Sequence, residues 1–422
     1  MTTTHRLRLA DRLRVVEPPV SLVASADPIP VMVCFGTRPE VIKLAPVLQT
    51  LQADPRFLPI GVSTAQHREM LDQALDTFHL EPDIDLGLME PGQGIESLAS
   101  LVLASLGAIV RTERPRAIVV QGDTTTALCA ALAAFWLRVP VAHVEAGLRT
   151  WDISSPFPEE ANRQMIGAIA SWHFCPTEHA ARNLRAEGVS PSRIHVTGNT
   201  VVDALHSVLQ GPHEPGLLPA RQRTRRLLVT MHRRESQGEV QRALVRMLVR
   251  LVADRDVELV MPVHPNPAVR AVIAHEASGR PGVTLVDPVE YATFVRLMRS
   301  SDLILTDSGG MQEEAPVLGV PLLVMRDTTE RPEGVDAGCV RLCGTDPHAV
   351  EQELVRLLDD TVATEAMAAA PQPYGDGLAA RRIADHLAAV LAEPTRANPE
   401  SSPRLVPIST TPLVPATTGA PQ

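Results

Sequence analysis

The chain has 422 residues, 45% hydrophobic and 21% charged, which excludes a disordered or fibrous class and leaves room for two domains. A formal net charge of −10 removes the electrostatic case for nucleic acid or an anionic membrane as partner. No apolar run in the sequence reads as approaching the roughly 20 residues of a membrane helix.

The first 28 residues are basic at "HRLRLADRLR" but carry no following apolar region or cleavage site, so they read as a disordered extension. Ile29–Phe35 reads as a buried strand opening into the helix of "GTRPEVIKLAPVLQTL". Ala117–Gln121 and Val139–Val144 read as further strands, with a helix in "GDTTTALCAALAAFWL" between them. Strands follow at Leu227–Met231, Glu258–Val263, Val283–Val286, Leu303–Thr306 and Pro321–Met325, with helices at Glu239–Ala253 and Tyr291–Arg299. Alternation of this kind gives parallel sheets covered on both faces. The expected fold is therefore α/β: two doubly wound, Rossmann-like domains, 29–197 and 198–375, facing each other across a cleft. The tail 393–422 is rich in Pro, Ser and Thr and reads as disordered. Cys34, Cys129, Cys175, Cys339 and Cys343 include no CxxC pair and read as reduced, mostly buried thiols of a cytoplasmic protein.

Of the 39 cationic Lys and Arg residues only Lys43 is a lysine. A lysine kept against such a bias points to a need for a compact ammonium rather than a planar guanidinium. In "FGTRPEVIK", Gly36 permits a tight turn, and Arg38 with Lys43 near a helix start suits an anion. The motif is neither a phosphate-binding Walker loop nor GxGxxG. Asp123, Glu145, Glu159 and Glu160 follow strands or lie in loops of the first half, where ligands gather in such sheets. Carboxyls converging there suit acid–base chemistry; Asp123 alone serves equally well as a helix cap. His232, after a strand, is an acid, a phosphate ligand or a packed ring. His264 in "PVHPNP" is placed similarly. Ser308, Gly309 and Gly310 of "TDSGGMQEEA" offer backbone amides and a hydroxyl to a diphosphate, and Glu314 suits ribose hydroxyls. The polar loop Arg326–Glu333, with Arg331, suits sugar hydroxyls.

Nine motifs occur in order: "FGTRPEVIK", "TAQHREMLDQ", "GDTTT", "HVEAGLR", "PEEANR", "HRRES", "PVHPNP", "TDSGGMQEEA" and "RDTTERPE". Together they resemble the non-hydrolysing UDP-N-acetylglucosamine 2-epimerases over about residues 31–385. The resemblance implies a glycosyltransferase-B-like fold, a helix near Gly377–Leu391 (within 376–392) returning to the first domain, and a homodimer. It implies interconversion of UDP-GlcNAc and UDP-ManNAc through a 2-acetamidoglucal, with no cofactor and no metal. Asp123, Glu145 and Glu159 match the family's acid–base carboxylates. Lys43 matches a lysine needed for activity, and His232 and Arg38 match groups near the diphosphate. Arg163 matches an arginine near the sugar, Phe294 a residue near uracil, and Ser308, Gly309 and Glu314 the nucleotide set. Gln66, Arg233 and His264 match parts of a site for a second UDP-GlcNAc acting as activator. Glu69 stands where some relatives have a glutamine, and Met231 where a glycine commonly precedes the histidine; extra bulk beside the diphosphate is expected to alter affinity or substrate choice. The competing readings are a hydrolysing relative, a glycosyltransferase of the same fold and a silent UDP-sugar sensor.

Overall fold

The computed structural model describes residues 27–392, apart from 66–67, 90–91, 213–215, 232–237 and 264–265. Both terminal extensions and the calls at Gln66, His232, Arg233 and His264 lie outside the described residues.

Thirteen described strands form two all-parallel sheets. The first holds β1 (Ile29–Phe35), β2 (Phe57–Ser63), β3 (Ile84–Asp85), β4 (Ala117–Gln121), β5 (Val141–Val144), β6 (Trp172–Cys175) and β7 (Ile194–Val196), in the order β3-β2-β1-β4-β5-β6-β7. The second holds β8 (Arg225–Thr230), β9 (Val257–Pro262), β10 (Val283–Val286), β11 (Leu303–Thr306), β12 (Leu322–Val324) and β13 (Val340–Leu342), in the order β10-β9-β8-β11-β12-β13. Both are doubly wound, with strand order reversing between β1 and β4 and between β8 and β11.

Successive strand residues point to opposite faces, and both faces are buried. In β1, Val31, Val33 and Phe35 join the core around the Arg38–Ala53 helix, while Met32 and Cys34 join the core under the Ile95–Glu113 and Thr125–Trp136 helices. The first of these cores continues through Val201 and Leu205 into Val295, Ile304 and Met311, and takes in Ile383, Leu387 and Leu391. The two lobes therefore share apolar packing. The Thr200–Gln210 helix lies against helices of both lobes, and the Ala379–Leu391 helix returns to the Arg38–Ala53 helix of the first. Asp203 fastens this return, its carboxylate accepting from the amides of Ala379 and Ala380 at 3.3 and 3.0 Å.

Two expectations are corrected. The Ile95–Glu113 helix is long and apolar enough to cross a membrane by length and composition, so the chain does contain such a run. It lays Leu98, Val102, Leu106 and Val110 into the core, while Ile95 and Leu101 stay exposed. Met231 is buried among the core residues of the second lobe with Val229 and Leu244, so its bulk goes into packing rather than toward a phosphate.

Candidate active site

The carboxyl ends of β1, β4 and β5 face those of β11 and β12, and the polar residues after these strands meet between the lobes. Lys43 lies in the Arg38–Ala53 helix, 8% exposed. Its Nζ donates to Glu145 Oε2 at 2.6 Å and to Glu313 Oε2 at 2.9 Å. Arg331 Nε donates to Glu313 Oε1 at 2.6 Å, and its Nη2 reaches Glu145 Oε1 at 3.5 Å. Gln121 also donates to Glu145, and Arg331 to Glu330, which accepts a further bond from Arg326 Nη1 at 3.1 Å. Lys43, read from the sequence as part of an anion site, is held here between carboxylates of both lobes.

Burial alone would lower the Lys43 pKa, but Glu145 and Glu313 beside it hold it above the ordinary 10.5. Burial raises Glu145 against the pull of Lys43. Burial works the same way on Glu313, yet Arg331 and Lys43 together hold it low. Glu145 also has a left-handed backbone, φ +61°, a conformation costing a non-glycine residue roughly 1–2 kcal/mol.

Asp123 follows the Gly122 turn, where φ is +68°. It does not cap the next helix: Thr124 does, accepting from Ala127 N at 3.0 Å. The Asp123 carboxylate instead accepts from Arg163 Nη1 at 2.9 Å and keeps 26% of its side chain exposed. Burial raises its pKa, Arg163 opposes this, and the charge of the half-buried Glu159 adds to the rise. Glu160 points away from chemistry, tying the Thr150 and Trp151 amides and Arg163. Arg149 is likewise structural, forming a two-pronged pair with Glu187 at 2.6 and 2.7 Å.

Glu40 occupies the helix start that the sequence offers to an anion. It accepts from Gly36 N at 3.1 Å, Thr37 N at 2.8 Å, Thr37 Oγ1 at 2.7 Å and Thr124 Oγ1 at 2.6 Å. Burial nonetheless pushes its pKa up to about 7, above the ordinary 4.5. A carboxylate raised on folding stabilises fully below its unfolded value, and that contribution is lost as the pH climbs through the folded value. The protein is expected to lose stability between pH 4.5 and 7. Glu40→Gln flattens this slope, as urea midpoints across that window would show.

In the second lobe Tyr291 donates to Glu314 Oε1 at 2.9 Å, and burial raises the Glu314 pKa. Arg38 approaches from the first lobe: burial lowers its pKa, while Glu314 and Tyr291 act to raise it. Phe294 is half-buried on the same helix as Tyr291. Ser308 spends its amide on Thr306 Oγ1 at 2.9 Å, so the turn offers one amide fewer than the sequence suggests. Gly309 lies close under the Glu330 and Arg331 side chains: a Cβ there would sit 3.1 Å from Glu330 Oε1 and 3.2 Å from Arg331 Nη1. Among the described residues no cluster of His, Cys, Asp or Glu is placed to hold a metal ion.

Comparisons with known proteins decide the lineage. The sequence pattern of the family described as UDP-N-acetylglucosamine 2-epimerase matches residues 49–388. The chain belongs to this family. The UDP-N-acetylglucosamine 2-epimerase of Escherichia coli K12 is 48% identical over 370 residues, 85% of this chain and 98% of that protein. The crystal structure of UDP-GlcNAc 2-epimerase from Neisseria meningitidis bound to UDP-GlcNAc is similar at a TM-score of 0.79 and 41% identity, covering 85% of this chain and 99% of that one. The glycotransferase of kitacinnamycin, at 13% identity and TM-score 0.61 over 86% of this chain and 99% of that one, shares the fold alone. The architecture is accordingly the glycosyltransferase-B-like one.

Within this epimerase-family fold, Lys43, Glu145 and Arg331 converge, with Asp123 and Arg163 paired beside them and Glu314 near Arg38. Sequence reasoning missed Glu313, Gln121, Tyr291 and Glu330. The doubled acid in "MQEEA" was the available signal: neighbours on a helix point about 100° apart, which sends Glu313 to Lys43 and Glu314 to Tyr291.

Proposed function

We propose that the chain is a non-hydrolysing UDP-N-acetylglucosamine 2-epimerase interconverting UDP-GlcNAc and UDP-ManNAc without a cofactor. What carries this reading is the convergence of the buried Glu145 and the partly exposed Asp123 with Lys43, Arg331 and Arg163, burial acting on both carboxyls to raise their pKa. The carbon-2 proton is poorly acidic because carbon 2 is not alpha to a carbonyl. Its removal is helped if UDP leaves carbon 1 at the same time: the C2–H pair becomes the C1=C2 bond of a 2-acetamidoglucal, and the C1–O pair leaves with the diphosphate. Delivery of a proton to the opposite face of carbon 2 and return of UDP to carbon 1 complete the inversion. This needs carboxyls in opposite protonation states on one sugar and cations where negative charge develops on the diphosphate.

Asp123, Glu145 and Glu159 are the proposed acid–base groups, with Lys43 and His232 as further catalytic residues. Arg38 serves the diphosphate, Ser308, Gly309, Gly310 and Glu314 the nucleotide, Phe294 the uracil, and Arg163 and Arg331 the sugar. The proposed domains are 29–197 with the returning helix 376–392, and 198–375. The reading extends to a second UDP-GlcNAc as activator at Gln66, Arg233 and His264, and to a homodimer. Exposed Leu101, Phe135, Trp136 and Met165 on three first-lobe helices supply apolar surface for the dimer.

Proton NMR of the protein with UDP-GlcNAc in deuterated water tests the reaction. A UDP-ManNAc anomeric signal with deuterium at carbon 2 and no added NAD is expected. Free N-acetylmannosamine plus UDP would replace this reading by the hydrolysing one, and no turnover at all would favour a modified sugar substrate or a silent sensor.

A further inference from the structure

Four side chains close a ring of alternating charge between the lobes: Lys43 to Glu145, Glu145 to Arg331, Arg331 to Glu313 and Glu313 back to Lys43. Two sides of the ring lie within a lobe and two cross the cleft, Lys43–Glu313 at 2.9 Å and Arg331–Glu145 at 3.5 Å. Both carboxylates of the ring give each oxygen to a different cation, but Glu313 holds its two more closely, Oε2 to Lys43 at 2.9 Å and Oε1 to Arg331 at 2.6 Å, whereas Glu145 meets Arg331 only at 3.5 Å. Glu313 is 1% exposed, on the short Met311–Val317 helix that follows the β11 turn, so both oxygens are fixed by the fold.

We propose that Glu313 is a positioning residue for epimerisation, holding Lys43 and Arg331 against Glu145 only when the two lobes meet. The inference rests on the epimerase reading. An open cleft would leave Lys43 with Glu145 and Arg331 with Glu313, each lobe keeping its own pair. Closure joins the pairs, places the Lys43 ammonium between two carboxylates and brings a second cation and a second anion to Glu145. The proton affinity of Glu145 is thereby tied to closure, through a carboxylate that need not touch the substrate. Chemistry is confined to the closed state, where water is excluded.

Because Lys43 is the only lysine, protein labelled with 13C at lysine Cε gives a single side-chain resonance, and its pH midpoint reads the ring directly. Glu313→Gln removes one anion beside Lys43 and is expected to move that midpoint down by about 1 unit. It should lower kcat about 10–100-fold, the scale of losing a precise placement. KM for UDP-GlcNAc should stay level or fall, since the site gains net positive charge. The acid limb of the kcat–pH profile should move to lower pH as Glu145 loses an anionic neighbour. Glu313→Asp restores the charge with shorter reach and should return the lysine midpoint while recovering kcat only in part. If Glu313→Gln does not fold, Glu313→Asp alone decides: wild-type kcat in it overturns the proposal. An unchanged midpoint and kcat in folded Glu313→Gln overturn it as well, as does a raised KM with kcat intact. Wild-type chain run alongside separates the two levels, because an inactive wild type removes the epimerase reading itself.

Discussion

Replacing Lys43 by methionine, which keeps the length and removes the charge, is expected to destabilise the protein by about 3–5 kcal/mol at neutral pH. The reason lies in what stays behind. Glu145 and Glu313 remain buried, 6% and 1% exposed, with Arg331 as the shared cation and no ammonium between them. The two carboxylates already raise each other's cost of ionisation, as the effect of Glu313 on Glu145 shows. Without Lys43, protons become the cheaper means of relief. Carboxyls whose folded pKa is raised stabilise fully below their unfolded value near 4.5 and lose that contribution as the pH rises. The deficit should therefore be small near pH 4.5 and full at pH 8, as urea midpoints of the two proteins at both pH values would show. A deficit independent of pH would mean that Lys43 acts by packing. Lys43→Arg tests activity separately. It keeps the charge, but a planar fork cannot take the place of a compact ammonium 2.6 Å from one carboxylate and 2.9 Å from another. Turnover should fall on the order of 100-fold, the scale of a misplacement of about 1 Å. Near-normal turnover would remove the case for an ammonium there.

The bias of the chain toward arginine made Lys43 conspicuous, yet its partners were only half visible. Glu145 stood out because it follows a run of buried strand residues, Val141–Val144. Glu313 did not, because its importance comes from pairing with a residue 270 positions away, and no local pattern encodes that distance. The fold shows the same division. Strands β1, β4 and β11 are apolar runs whose limits match the sequence reading, since burial on both faces leaves a continuous signal, and the half-buried edge strand β10 matches as well. Strands β3, β7 and β13, two or three residues long, are too short to show a period. Strand β2 hides for another reason. "FLPIGVS" contains Pro59 and Gly61, which read as breakers. The proline is tolerated because β3 pairs only with Val62 and Ser63, so at Pro59 the outer side of β2 is still an open edge. Val139 and Pro140, read as the start of β5, fall outside it; Pro140 contributes its carbonyl to Ile118 N at 2.9 Å. The helix start at Arg38 misled in chemical terms: the sequence offers its amides to a ligand anion, and the chain supplies the anion itself in Glu40.

Asp123→Asn is expected to abolish most epimerisation while leaving the fold and UDP binding in place. The cap role that would have made this substitution destructive belongs to Thr124, so the Thr125–Trp136 helix keeps its N-terminal bond. Arg163 loses one anionic partner but retains Glu160 at 2.8 Å, which leaves no unpaired buried guanidinium. The stability change should stay near 1 kcal/mol, the usual worth of one partly exposed polar contact. Activity responds differently. An amide of the same shape cannot take up or deliver a proton, and loss of a positioned acid or base costs about 100–10,000-fold in rate. UDP affinity, governed in this reading by Arg38, the Ser308–Gly310 turn and Glu314, should change less than about threefold because Asp123 is not among those groups. Three measurements on one preparation separate the possibilities: urea unfolding, calorimetric titration with UDP, and deuterium entry at carbon 2 of UDP-GlcNAc. Lost deuterium exchange with intact stability and UDP binding assigns Asp123 to proton transfer. Retained exchange with lost net inversion would instead place it at the step that returns the proton to the other face. Unfolding would return it to a structural role, and would make the Arg163 pair, rather than the reaction, the reason for an aspartate after β4.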